Sequence, residues 1–231
     1  MKKDTIYPIR YLRRKIKTNP VHYLILSVWS LVVLFPVWTM LVNSLKKQLD
    51  IFRNPFAFPA SPNLAGYLYV IRDSDFSLYC WNTLLVVGLT IFVTLFVGSL
   101  AAYALANWKG RASKAVYLLF LSGIMIPIRL GTINIFQIVR SLGLMGSLYS
   151  LIPVYIAWGL PITVFVLTTF IQELPGDLME VAAIDGASPM RIYYSIILPL
   201  IRPALGTVAI LNLINIWNDI WFPLIFNLRE N

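Results

Sequence analysis

The sequence predicts an all-α fold, a polytopic membrane helical bundle with five spans and a structured cytoplasmic loop. Three observations predict it. Of 231 residues, 58% are hydrophobic and only 13% charged, against about 25% charged in an ordinary soluble domain, so polar surface is too scarce to cover a globule. Five stretches reach the roughly 20 mostly apolar residues that cross a bilayer. The basic residues gather beside alternate ends of those stretches, as membrane topology requires. Mean hydropathy of +0.74 excludes a disordered chain. The single cysteine, Cys80, excludes a disulfide scaffold closed within the chain. The net charge of +9 sits next to apolar runs, which points to lipid and away from nucleic acid.

The expected spans are residues 23–42, 82–105, 115–139, 151–171 and 204–228. The first is too long for a secretory h-region and lacks a small-x-small site before Asn43, so it is read as a retained helix. Lys2, Lys3, Arg10, Arg13, Arg14, Lys15 and Lys17 precede it, Lys109, Arg111 and Lys114 lie between the second and third spans, and Arg191 and Arg202 between the fourth and fifth. That bias predicts a cytoplasmic N-terminus and, with five spans, Asn231 on the far side. In domain terms, 1–20 is a basic cytoplasmic segment and 21–231 a transmembrane domain. Residues 9–17 (IRYLRRKIK) read either as an interfacial amphipathic helix or as a plain basic flank. The external stretch of about 35 residues after the first span, with Pro55, Pro59 and Pro62, reads as loop with short helical pieces.

Catalytic chemistry is missing. No G-x-x-x-x-G-K-[ST] occurs, so ATP hydrolysis is not expected from this chain. One histidine, His22, and one cysteine make neither a metal cluster nor a catalytic dyad. The chain is read as no enzyme, with no catalytic residue, metal or cofactor of its own.

The loop 172–203 is too patterned for a plain connector. Pro175 and Asp177 open a short helix that Glu180, Val181, Ala182 and Ala183 continue, Gly186 permits a turn, and Ser188 caps a second helix with Pro189 at its first position. Pro199 is expected to end that second helix. Two short helices on the cytoplasmic side make a docking knob or, alternatively, an amphipathic hairpin on the bilayer.

Here the residues resemble a known family. Glu180, Ala182, Gly186, Ile196, Leu198 and Pro199 resemble the E-A-A-x3-G-x9-I-x-L-P signature of ABC-importer permeases, with Val181 in place of the first alanine. NSLKK at Asn43, NTLLV at Asn82, MIP at Met125, SLGLM at Ser141 and WNDIWFPLIF at Trp217 are similar to the carbohydrate branch, relatives of the maltose-type subunits. The resemblance implies the permease subunit of an ATP-driven, binding-protein-dependent importer of a sugar or oligosaccharide, in a bacterial or archaeal inner membrane. It implies partner ATP-binding subunits that carry ATP-Mg, a second permease chain, usually a different one, and an extracytoplasmic sugar-binding protein. It makes 172–203 the coupling loop, with Glu180, Ala182, Ala183, Asp185, Gly186, Ala187, Ser188 and Pro189 facing the ATPase. The family usually has six core spans and both termini in the cytoplasm, so either a sixth span follows Asn231 or it is lost. The first is expected, because an open flank would leave the polar face of the fifth span poorly packed.

Charges within spans cost about 2.5–3.5 kcal/mol at the helix centre and usually face a cavity or a partner. Arg129 and Asp219 are two such charges, expected at similar depth and able to pair or to line one cavity. Asn212, Asn215 and Asp219 fall on one face of a continuous fifth helix, with Asn218, Trp217 and Trp221 beside them. Such a wall suits a hydroxylated ring, though interhelical hydrogen bonding explains the same pattern. Tyr155, Trp158 and Pro161 border the same path. The rival reading is an ion-coupled secondary transporter with Asp219 as its titrating carboxylate, and a membrane scaffold is a third.

Overall fold

The computed structural model describes residues 20–108 and 110–226, and every regular element among them is helical. The basic 9–17 segment, Lys109 and the last residues of the expected fifth span lie outside the described residues. The chain divides into two compact units, one ending at Phe76 and one beginning at Ser77.

In the first unit, α1 (Pro20–Ser44) is apolar around its whole circumference and buries only Val42. A helix that is apolar on every face needs an apolar surrounding, which a bilayer supplies. Two short helices follow, α2 (Gln48–Arg53) and α3 (Ala65–Arg72), as the run of prolines between them suggests.

The second unit contains α4 (Phe76–Asn107), α5 (Arg111–Met125), α6 (Thr132–Ser141) and α7 (Leu151–Gln172). After these come α8 (Asp177–Ile184), α9 (Pro189–Ile192), α10 (Leu198–Leu200), α11 (Arg202–Trp217) and α12 (Trp221–Phe226). Three helices are long and apolar enough to span alone, and five spans result if each of two bent pairs counts as one.

The breaks correct the expectation of five straight rods, and proline accounts for each. The third span is not continuous over 115–139, because α5 stops at Met125 and the chain turns by 90° into Ile128–Ser141. Pro127 forces the preceding residue out of helical geometry, and Ile126 is extended at φ −88°, ψ 116°. The fifth span breaks between Trp217 and Trp221, four residues ahead of Pro223, whose ring would strike the Asp219 carbonyl in a continuous helix. Nor does Pro199 end the second loop helix. The helix widens into a π turn over Tyr193–Ile197, passes through Pro199, and bends by 73° into α11. Widening the turn before a proline relieves the clash with the carbonyl one turn back.

Two apolar clusters fill the second unit. One gathers Val86, Val139, Leu151, Tyr155, Ile216, Phe222 and Phe226, and the other Ala102, Leu167, Ile171, Ile197, Ile201 and Val208. Buried Thr90, Thr94, Thr163 and Asn212 occupy the same helices between these sets. Small residues let the helices meet there. A methyl on Gly98 would stand 2.5 Å from Thr163 Cγ2, and one on Gly123 2.9 Å from Pro161 Cγ.

Candidate functional site

The 172–203 loop is built from its caps. Helix α8 buries no residue whole, but Met179 and Ala182 rest on the second apolar cluster, leaving Glu180, Val181 and Ile184 exposed. It closes with two reverse bonds, Ala187 N–H to the Ala182 carbonyl (3.0 Å) and Gly186 N–H to the Ala183 carbonyl (3.0 Å). That pairing is the Schellman motif, which needs a left-handed residue at the position after the cap. Gly186 supplies it at φ +79°. Ser188 Oγ then accepts from Arg191 N–H (3.3 Å), and Pro189 starts the next helix.

This second helix is pinned to α4. The hydroxyls of Tyr193 and Ser99 lie 2.7 Å apart, both buried, and Tyr103 Oη donates to the Pro189 carbonyl (3.2 Å). The Tyr103 and Tyr193 rings pack 5.5 Å apart. A buried hydroxyl pair and packed rings thus join this helix to α4 two turns before its Asn107 end. A cleft of about 710 Å³ opens beside Glu180, lined also by Asn107, Trp108, Lys114, Thr168 and Gln172.

The second feature is polar and lies where both broken spans meet α7. A cavity of about 450 Å³ is lined by Arg129, Tyr155, Trp158, Pro161, Asn212 and Asn215, among others. A smaller one of about 270 Å³ includes Asn82, Thr83, Tyr155, Trp217 and Asp219 in its wall. Tyr155 lines both, and Asp219 is bonded to it. Its carboxylate accepts from Tyr155 Oη (2.9 Å) and from Phe222 N–H (3.2 Å), both on Oδ2, and Arg129 Nη2 approaches Oδ1 at 3.9 Å. The Asp219 side chain is 1% exposed and that of Arg129 65%. The guanidinium also lies 5.9 Å over the Trp221 ring, whose indole N–H donates to Thr132 Oγ1 (3.1 Å). One buried anion thus ties the break in the fifth span to α7 and faces the cation just beyond the break in the third.

The six residues expected along the path separate. Arg129 and Asp219 do meet, although not on two straight helices. Asn212 faces protein: its Nδ2 donates to Thr163 Oγ1 (3.1 Å) and to the Val208 carbonyl (3.0 Å). Asn215 is exposed on the cavity wall. Asn218 caps α11 through a 2.8 Å bond to the Ile214 carbonyl, and Trp217 is half exposed on the smaller cavity. Asp219 has left the helix, so 212, 215 and 219 do not share one helical face. The sequence reading missed the Tyr193–Ser99 pin and the close approach of Asn212 to Gly159, where a methyl would strike Asn212 Oδ1. A lone serine in an apolar run is a weak signal for the first, and nothing in the spacing signals the second.

A helical membrane bundle that breaks two spans around a largely apolar cavity set with a few polar groups, and projects a pinned helix-turn-helix loop, has the make-up of a transport subunit. Residues 94–228 match the family described as binding-protein-dependent transport system inner membrane component, and the chain belongs to it. It is 30% identical over 211 residues to a diacetylchitobiose uptake system permease protein of Streptomyces coelicolor, covering 91% of this chain and 70% of that one. It is 32% identical to a multiple sugar-binding transport system permease protein of Streptococcus mutans (88% and 74% covered). A trehalose/maltose transport system permease protein of Thermococcus litoralis is 33% identical (85% and 71% covered). Among solved structures, a bacterial ABC transporter that imports alginate has the same fold, at TM-score 0.79 and 21% identity over 89% of this chain and 72% of that one.

Proposed function

We propose that this chain is a permease subunit of an ATP-driven, binding-protein-dependent sugar importer. ATP-Mg is held by separate ATPase subunits, a second permease chain completes the path, and an extracytoplasmic sugar-binding protein delivers the solute. The N-terminus and the 172–203 loop face the cytoplasm, as the basic residues around both argue. The observation that carries the proposal is the loop: α8 leaves Glu180, Val181 and Ile184 exposed while the following helix is bonded to α4 at Ser99. A surface that is free to dock and stiff behind is what a coupling element needs. Glu180 and Asp185 offer charge to the ATPase, Ala182, Ala183 and Ala187 allow close approach, and Gly186, Ser188 and Pro189 hold the turn.

Along the path, Arg129 and Asn215 meet the solute, and Trp158 covers a ring face. Guanidinium and amide groups pair well with hydroxyls, and aromatic faces cover the C–H side of a sugar. Asn212 and Asp219 hold the wall behind them, and Trp217 and Asn218 complete it. The names of the relatives support a sugar as the solute class.

The test is a mild-detergent pull-down of the tagged chain from native membranes, with Glu180→Arg alongside. An ATP-binding subunit and a second permease should be recovered, with the ATPase lost from the variant. Recovery of this chain alone from membranes active in uptake would refute the proposal.

A further inference from the structure

We propose that residues 52–59 form an aromatic anchor seated in the lipid interface at the Ser44 end of α1. Helix α1 has 25 residues, hence a length of about 37 Å against about 30 Å of hydrocarbon. Its last residues therefore stand at the headgroups. Phe35 lies nine residues back from Ser44, about 14 Å along the axis, and Trp38 about 9 Å. Beyond α2 the chain doubles back along the outside of α1. The Phe56 ring packs 5.5 Å from that of Phe35, and the Phe58 ring stands edge-on to Trp38 at 5.0 Å. The chain then climbs again, and Asn63 N–H bonds the Leu45 carbonyl (2.8 Å) while Tyr67 Oη meets Ser44 Oγ (2.7 Å).

A loop dipping below the headgroups needs its backbone polar groups satisfied or absent. Lys46, only 8% exposed, supplies much of this. Its ammonium donates to the Asn54 carbonyl (2.8 Å), the Pro55 carbonyl (3.3 Å) and Asn43 Oδ1 (2.9 Å), which uses all three protons. Pro55, Pro59 and Pro62 carry no N–H, and residues 54–63 (NPFAFPASPN) carry no charge, the one charge of the segment being Arg53, exposed in the last turn of α2. Phe52, Phe56 and Phe58 nonetheless remain mostly exposed, continuous with the exposed apolar face of α1. Rings packed beside Phe35 and Trp38 stand near the roughly 5–10 Å depth at which interfacial segments bury. The occupant of this surface is lipid. The anchor fixes how far α1 sinks, and the inference stands whatever solute the protein carries.

The test uses the complete complex in nanodiscs, with Cys80→Ser as background and a nitroxide at Ala57→Cys, which leaves every ring in place. Reference probes go at Val32→Cys in α1 and at Asp73→Cys. The probe at 57 should favour molecular oxygen over a water-soluble nickel chelate several-fold more than the probe at 73, approaching the one at 32. Nickel access equal to that at 73 would put the loop in water, and shielding from both reagents would mean that a protein chain covers it. Either overturns the proposal. Adding Lys46→Met should raise nickel access at 57 several-fold and leave the probe at 32 unchanged. Unchanged access at 57 would refute the role given to Lys46.

Discussion

Replacing Gly159 with alanine tests the packing that holds the polar wall in place. The added methyl falls in hard contact with Asn212 Oδ1 and 3.1 Å from Thr94 Cγ2. Neither neighbour yields easily. Asn212 is held by its bonds to Thr163 and Val208, and Thr94 is buried on α4. Overpacking of this kind costs about 1–3 kcal/mol. Swinging the carboxamide away forfeits two hydrogen bonds, worth about 0.6 kcal/mol each in membrane bundles. These are alternative ways for the site to yield, so the loss is about 1–3 kcal/mol. The assay is the heating midpoint for loss of the monodisperse complex in detergent, and Gly159→Ala should lower it clearly. Asn212→Ala in the same chain removes the clashing oxygen, so the combined loss should be clearly less than the sum of the two separate losses, a coupling within the usual range of about 0.5–3 kcal/mol for contacting residues. A Gly159→Ala chain as stable as the parent would refute the reasoning. So would strictly additive losses in the double variant.

Two further outcomes follow from the same geometry. Tyr193→Phe keeps the ring and removes the hydroxyl pair with Ser99, so ATPase subunits should still co-purify while sugar-stimulated ATP hydrolysis and uptake fall together. Retained coupling in that variant and in Ser99→Ala would mean that the pin transmits nothing. Arg129→Gln and Asp219→Asn should each lower uptake severalfold with assembly intact. Only Asp219→Asn should also reduce the heating midpoint, because its carboxylate is buried against Tyr155 and Phe222 while Arg129 is mostly exposed. Normal uptake in both would remove these residues from the path.

Hydropathy located the segments that enter the membrane and could not see how they bend. The expected third and fifth spans ran straight through Pro127 and Pro223 because a window average scores proline almost as a neutral residue. The physics of the break lies in the missing N–H and the ring clash, and both prolines were in plain view. The local structure of the 172–203 loop was legible in detail, since its caps are local: Ser188 before Pro189, and a glycine at 186 where the turn needs positive φ. Pro199 misled, because a π turn absorbs it where a helix end was expected. The polar wall was only half legible. Asn212 and Asp219 are buried polar groups, as their types suggested, but their partners Thr163 and Tyr155 lie 49 and 64 residues away. A helical period reports which face a residue shares, and carries nothing about which distant hydroxyl meets it.

Uptake by the purified complex in proteoliposomes, with its binding protein outside and the energy source varied, bears most directly on the importer reading. With ATP-Mg supplied at the ATPase face and all ion gradients collapsed by ionophores, uptake of the cognate sugar should persist at its full rate, and should stop when ATP is withheld. Uptake that ignores ATP and follows a proton or sodium gradient would contradict the importer and make Asp219 the carboxylate to titrate.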